Sequence, residues 1–275
     1  MKNIIANFFI FLIAVFILGS ANLAYSESET PTQGKWIDLT HDFSQESIYW
    51  PTAEGFKLTS VFEGITDKGF FYDANNYSAA EHGGTHIDSP IHFAEGKQTV
   101  DQIPLESLIG HAVVINVSEK ALANRDYLVS VKDFKDWEDK YGEIANGSIV
   151  LLNTGSAQFW PDKVKYMGTD KRGPDAVKEL HFPGLDPAAA KWLVENRKIS
   201  AIGLDTPSID YGQSTLFKSH RILFEENIPA FENVANLDKL PAIGAIIIAL
   251  PMNIKGGSGG PLRIIAMLPE ENSKE

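Results

Sequence analysis

The run His82-Gly83-Gly84-Thr85-His86-Ile87-Asp88-Ser89-Pro90-Ile91-His92 puts three of the chain's seven histidines around an aspartate within eleven residues. Read as extended chain, its period of two points positions 82, 86 and 88 to one side. Two glycines and Pro90 argue against a regular helix. Imidazole nitrogen and carboxylate oxygen are the donors a borderline divalent ion such as zinc or manganese takes. No glutamate follows His82, so the segment is not an H-E-x-x-H helix. There is no G-x-S-x-G elbow for serine chemistry either. The run reads as a metal-centre candidate.

Around it the pattern is mixed α/β. Strands are expected at 36–40, 56–62, 111–117, 148–154, 199–205, 245–250 and 262–268, rich in β-branched residues and bounded by Gly, Asp or Pro. A helix over 131–142 would gather Val131, Phe134, Trp137 and Tyr141 near one face. A second would start at Asp186 as N-cap with Pro187 in the first turn. Strands alternating with helices suggest βαβ units and a layered sheet in one domain. Residues 155–184 give the weakest pattern, and a linker or an aromatic loop folded over a site would both suit them.

The first residues read as a leader. Lys2 precedes the apolar run Ile4–Leu18, and small residues offer cleavage after Ala21 or Ala24. The run is short for the roughly 20 apolar residues of a spanning helix. Residues 1–24 are thus expected to be a signal peptide and 25–35 a polar lead-in. The mature protein is expected to be exported, periplasmic or secreted, without stable membrane association. Cysteine is absent, which excludes disulfides, thiolate ligands and a thiol nucleophile. A formal charge of -12 argues against nucleic acid as a partner.

Other groups are weaker by themselves. His220 and Glu232 lie in one stretch, and Glu225 and Glu226 look like a solvated helix end. His41, His111 and His181 have no context that marks them as catalytic. The run KGGSGGP at 255–261 lacks the order of a phosphate loop and reads as a turn into the last strand.

Taken in order, these motifs resemble the metal-dependent cyclase-like hydrolases, the family containing bacterial kynurenine formamidase and isatin hydrolase. The signature His-x-Gly-Thr-His-x-Asp-x-Pro-x-His is complete at 82–92. The likeness continues through Gly203-Leu204-Asp205-Thr206-Pro207-Ser208-Ile209-Asp210, His220, Glu232-Asn233 and Asn236-Leu237, and closes with Gly259-Gly260-Pro261-Leu262-Arg263. It spans roughly 36–268, within a hydrolase domain expected over 36–270. The insert with Gln158-Phe159-Trp160 and His181-Phe182-Pro183-Gly184 is more similar to the isatin hydrolase branch.

The resemblance implies a mixed, barrel-like sheet with packed helices, and a homodimer or higher homo-oligomer. It implies that His82, His86 and Asp88 bind metal, Asp88 bridging where two ions are held, with His220 and Glu232 completing the second position. His92 would shuttle protons. One or two ions of Mn or Zn would activate water to open a cyclic amide or cleave an aryl formamide. A lactone or ester could be attacked in the same way. A non-catalytic exported binding protein is the reading from another class. Phe159 and Trp160 are expected to stack on a planar substrate.

Overall fold

The computed structural model describes residues 34–269; the expected leader and residues 25–33 of the lead-in lie outside the described residues. The strands are β1 (Gly34–Asp38), β2 (Lys57–Ile65), β3 (Phe71–Ser78), β4 (His86–Asp88), β5 (Ile109–Asn116), β6 (Leu128–Val129), β7 (Ile149–Asn153), β8 (Gly184–Leu185), β9 (Ala201–Leu204), β10 (Ala230–Glu232), β11 (Ile243–Pro251) and β12 (Gly259–Pro269). The helices are α1 (Ser118–Ala123), α2 (Val131–Tyr141), α3 (Lys163–Met167), α4 (Pro187–Asn196) and α5 (Lys218–Glu225).

The main sheet runs β12-β11-β5-β7-β9-β10-β4, and β4 pairs back onto β12, so seven strands close into a barrel. Strands β5, β7, β9 and β10 are mutually parallel and the remaining pairings are antiparallel. β1 adds to β12 from outside the ring. Local patterning had suggested a layered sheet and the resemblance a barrel-like one, and the sheet is a closed mixed barrel. What closes it is β4, whose three residues are flanked by glycine and proline and give no strand signal.

Alternation along each strand explains why both faces are apolar. Ala112, Val114, Ile149, Leu151, Ala201 and Phe231 share the inner core. Their neighbours Val113, Ile115, Val150, Leu152 and Ile202 face outward, where they meet Phe134 and Trp137 of α2, Leu193 of α4 and Phe224 of α5. Each fully buried Leu or Ile contributes roughly 2 kcal/mol. The helices that cover the outer face are well capped. Ser130 and Asp133 form a reciprocal capping box on α2, and the Asp186 carboxylate accepts from Ala188 N–H at 2.7 Å on α4.

The 56–62 strand exists as β2 but does not join the barrel. It pairs with β3 in a separate two-stranded ribbon. Nothing in the sequence marked β3, because Asp73, Asn75 and Asn76 are poor strand formers. Residues 155–184 are not a linker. Tyr166, Met167, Leu180 and Phe182 build a small core with Ile48, and Trp50, Phe159 and Trp160 pack against it.

Candidate metal centre

Within β4, Ile87 points into the barrel core, which turns His86 and Asp88 to the outer face. On β10, Phe231 likewise points inward and Glu232 outward, directly opposite His86 in the antiparallel register. Ahead of β4 the chain is bent by Gly84, whose φ of +59° is left-handed. A Cβ there would lie 2.6 Å from the Phe43 ring. The bend lets Gly84 O accept from His86 Nδ1 at 3.0 Å and from the Asn233 amide at 2.7 Å. With Nδ1 donating, Nε2 of His86 carries a free lone pair.

Asp88 is the hub. Its carboxylate lies 2.7 Å from His82 Nδ1, 3.1 Å from His86 Nε2, 3.3 Å from His220 Nε2 and 3.9 Å from His92 Nε2. Glu232 lies 3.1 Å from His220 Nε2 and 3.4 Å from His86 Nε2. Helix α5 brings His220 over this face of the barrel. Asp210 holds its ring from behind, accepting from Nδ1 at 2.6 Å, which turns Nε2 toward Asp88 and Glu232. All five groups that the resemblance pointed to as ligands therefore converge, with His92 at the edge.

Burial alone would raise the Asp88 carboxyl, but the charge of the adjoining His82 and a hydrogen bond from His220 hold it well below the usual carboxylate range. Glu232 is pushed up by burial and by the charge of Asp88. His92 is pulled down to about 4, mainly by burial, with His82, His220 and His86 adding to the effect against Asp88. His86 Nε2 is buried and makes no hydrogen bond although two carboxylates stand beside it. A buried polar atom of this kind is rare in native proteins. A divalent cation would satisfy it, and two fully buried carboxylates call for positive charge. The nitrogen and oxygen donors fit such an ion. Ligand atoms group as His86, Asp88 and Glu232 and as His82, Asp88 and His92, with Asp88 common to both.

Beside the cluster is a cavity of about 230 Å³ walled by Ile48, Tyr49, Trp50, Phe93, Pro207 and Phe217. Phe93 and Phe217 stack at 4.9 Å, and Phe93 lies 4.7 Å from the His220 ring. Phe217 holds an unfavourable φ of +45° just ahead of α5, fixed by its N–H donating to Ser214 Oγ at 3.2 Å. The Tyr49 hydroxyl is buried with no partner, and burial lifts its pKa to about 12.

Phe159 and Trp160 do not line this cavity, which corrects the expectation that they contact substrate. Trp160 stacks on His41 at 4.1 Å, and Phe159 lies 5.0 Å under the Arg125 guanidinium. Like Trp50, they pack against the small core of Ile48, Tyr166, Met167, Leu180 and Phe182. The aromatic wall comes instead from Trp50, Phe93 and Phe217, scattered single residues with no shared period. Among them only Phe93, adjoining His92, carried a positional hint. His111 is exposed on β5, and His181 pairs with Asp126 away from the site.

The family model described as "Putative cyclase" matches residues 37–211. This chain belongs to the Cyclase family. Its barrel is the cyclase fold. Among cyclase relatives, isatin hydrolase of Roseibium aggregatum is 34% identical over 242 residues, covering 85% of this chain and 87% of that protein. Kynurenine formamidase of Salinibacter ruber is 27% identical over 233 residues, covering 83% and 95%. The solved structure of isatin hydrolase A from Labrenzia aggregata bound to benzyl benzoate matches with a TM-score of 0.77 and 32% identity, covering 86% and 94%.

Proposed function

We infer that this cyclase is a metal-dependent hydrolase opening a small, neutral cyclic amide fused to an aromatic ring, an isatin-like substrate. The cavity wall carries the reading. Apart from Ser208, Asn233 and the cluster itself it is aromatic and aliphatic, and among the described residues none of its lining side chains is Lys or Arg. N-formylkynurenine bears an amino-acid head whose carboxylate calls for such a cation. A neutral bicyclic lactam does not. The volume also falls below the ~300 Å³ lower end of drug-sized sites, which favours a compact ring system.

His82, His86, Asp88, His220 and Glu232 would hold the ion, Mn or Zn, in one or two positions sharing Asp88. Bound there, a divalent ion supplies acidified water and a polarised carbonyl. His92 is kept for proton transfer, because it stands farther from Asp88 than the other three imidazoles and stacks on His82 at 3.8 Å. His92 takes a proton from the water as its oxygen joins the amide carbon, the carbon–nitrogen bond breaks, and His92 delivers that proton to the departing nitrogen. Phe93 and Phe217 hold the ring and exclude water. The unpartnered Tyr49 hydroxyl, kept protonated, is a donor for a second substrate oxygen.

The leader motif supports export, with removal of residues 1–24 before the protein acts, and N-terminal sequencing of the exported form checks it. Among the described residues no helix is long and apolar enough to cross a membrane. The β2–β3 ribbon supports a homodimer.

The test is elemental analysis of protein purified without chelator, with hydrolysis assays on isatin and N-formylkynurenine. Stoichiometric Mn or Zn with faster isatin opening is expected. Preference for N-formylkynurenine would overturn the substrate reading, and absence of metal after reconstitution would overturn the centre.

A further inference from the structure

The glycine-rich turn at 255–261 packs against the outer side of the cluster. Ser258 N–H and Oγ both lie within reach of one carboxylate oxygen, Glu81 Oε2, at 3.1 and 2.6 Å. The same Oγ lies 2.9 Å from His82 Nε2. A hydroxyl has one proton and a carboxylate only accepts, so that proton goes to Glu81. Toward His82 the oxygen can then only accept. Nε2 of His82 therefore keeps a proton, and the nitrogen that can face an ion is Nδ1, which lies 2.7 Å from Asp88.

We propose that Ser258 and Glu81 are positioning residues that fix the tautomer and ring orientation of His82 as a metal ligand. This rests on the reading of His82 as a ligand. The turn's composition follows from it. A Cβ on Gly257 would come within 2.8 Å of Glu81 Oε1, and one on Gly259 within 2.6 Å of His82 Cε1. The turn is small where it passes the pair. Its backbone is anchored independently: Ser89 N–H donates to Ser258 O at 2.9 Å, and Gly259 pairs with Asp88. Loss of the Ser258 hydroxyl therefore leaves the turn in place and removes only the acceptor for His82. Outer partners of this kind are worth about 10- to 100-fold in metal affinity.

The experiment measures Zn²⁺ dissociation constants by competition with a chelating dye, for wild type, Ser258→Ala, Glu81→Ala, Ser258→Thr and Lys255→Ala. Thermal midpoints of the metal-free proteins are measured in parallel. Long-range ¹H–¹⁵N spectra of the Zn²⁺-loaded chain report the His82 tautomer. Ser258→Ala and Glu81→Ala should weaken binding about 10- to 100-fold with midpoints close to wild type. Ser258→Thr should retain affinity, and Lys255→Ala, in the same turn, should be unchanged. His82 should show an Nε2–H. Wild-type affinity in Ser258→Ala and Glu81→Ala, or an Nδ1–H on His82, overturns the proposal while the metal centre stands. Failure of wild type itself to take up Zn²⁺ overturns the centre and this proposal with it.

Discussion

His86 and Glu232 stand opposite each other across the β4–β10 pairing, with Nε2 and Oε2 3.4 Å apart. They are 146 positions apart in the chain, and only barrel closure makes them neighbours. The strand that closes the barrel is also the strand that carries two of the candidate ligands, His86 and Asp88. Fold and site therefore depend on the same three residues, His86, Ile87 and Asp88: the middle one fills the barrel and the outer two face the cavity.

Asp210 and His220 form a buried pair, each side chain 2% exposed. Asp210 also accepts from Ser219 N–H and Ser214 Oγ at the start of α5. Removing the carboxylate strands the imidazole and unties the helix start. Asp210→Ala is expected to cost about 3–5 kcal/mol, the usual penalty for breaking a buried charged pair. Urea unfolding of the metal-free protein checks it, and a loss below about 1 kcal/mol would show that the pair contributes little.

Phe217 and Trp160 separate wall from support. Phe217→Ala removes a ring from the cavity and is expected to raise KM for isatin about 10-fold, a loss of roughly 1.4 kcal/mol of binding. Trp160→Ala is expected to leave KM near wild type and lower stability by roughly 2 kcal/mol, since the ring is only partly buried. Steady-state kinetics with thermal melts on both variants decide it. The reverse pattern would place the insert on the substrate.

His41 supplies a pH dependence away from the metal centre. Burial, opposed by Asp42, lowers its pKa from 6.5 to about 4. The unfolded chain takes up this proton near pH 6.5 and the folded chain resists it. Stability is thus unaffected by His41 above pH 6.5 and falls as pH drops toward 4, by up to about 3 kcal/mol. His41→Gln should flatten that limb. Urea midpoints from pH 7 to 4 for both proteins measure the difference, and parallel curves would sink the assignment.

The cluster of candidate ligands was legible because its chemistry is concentrated. Three imidazoles and a carboxylate in eleven residues have few other uses, and the order of the later motifs located His220 and Glu232. The buried strands β5, β7 and β9 were legible through their apolar runs. β4 and β10 were not, because three-residue strands are specified by their partners rather than by their own propensity. The cavity wall was hidden for a related reason. Trp50, Phe93 and Phe217 meet only after the barrel closes, whereas the aromatics adjacent in sequence, Phe159 and Trp160, pack against the small core of the 155–184 segment. Ser258 was concealed in the run at 255–261, which read only as a turn into the last strand.

The β2–β3 ribbon gives the remaining expectation. Ile65 and Phe71 are cross-strand partners, 67% and 61% exposed, and Leu58, Val61, Phe70 and Tyr72 are also exposed. A two-stranded ribbon is marginal in water without a face to bury, and an apolar surface of this kind marks an interaction site. The ribbon follows Ala53 and precedes Ala80, both of which line the cavity, so a second copy covering it would border the site. Wild-type protein is expected to sediment as a homodimer. Ile65→Glu combined with Phe71→Glu should shift it to monomer and raise KM, since the arm beside the cavity mouth loses its cover. A wild-type monomer at micromolar concentration, or a dimer indifferent to both charges, would place the interface elsewhere or remove it.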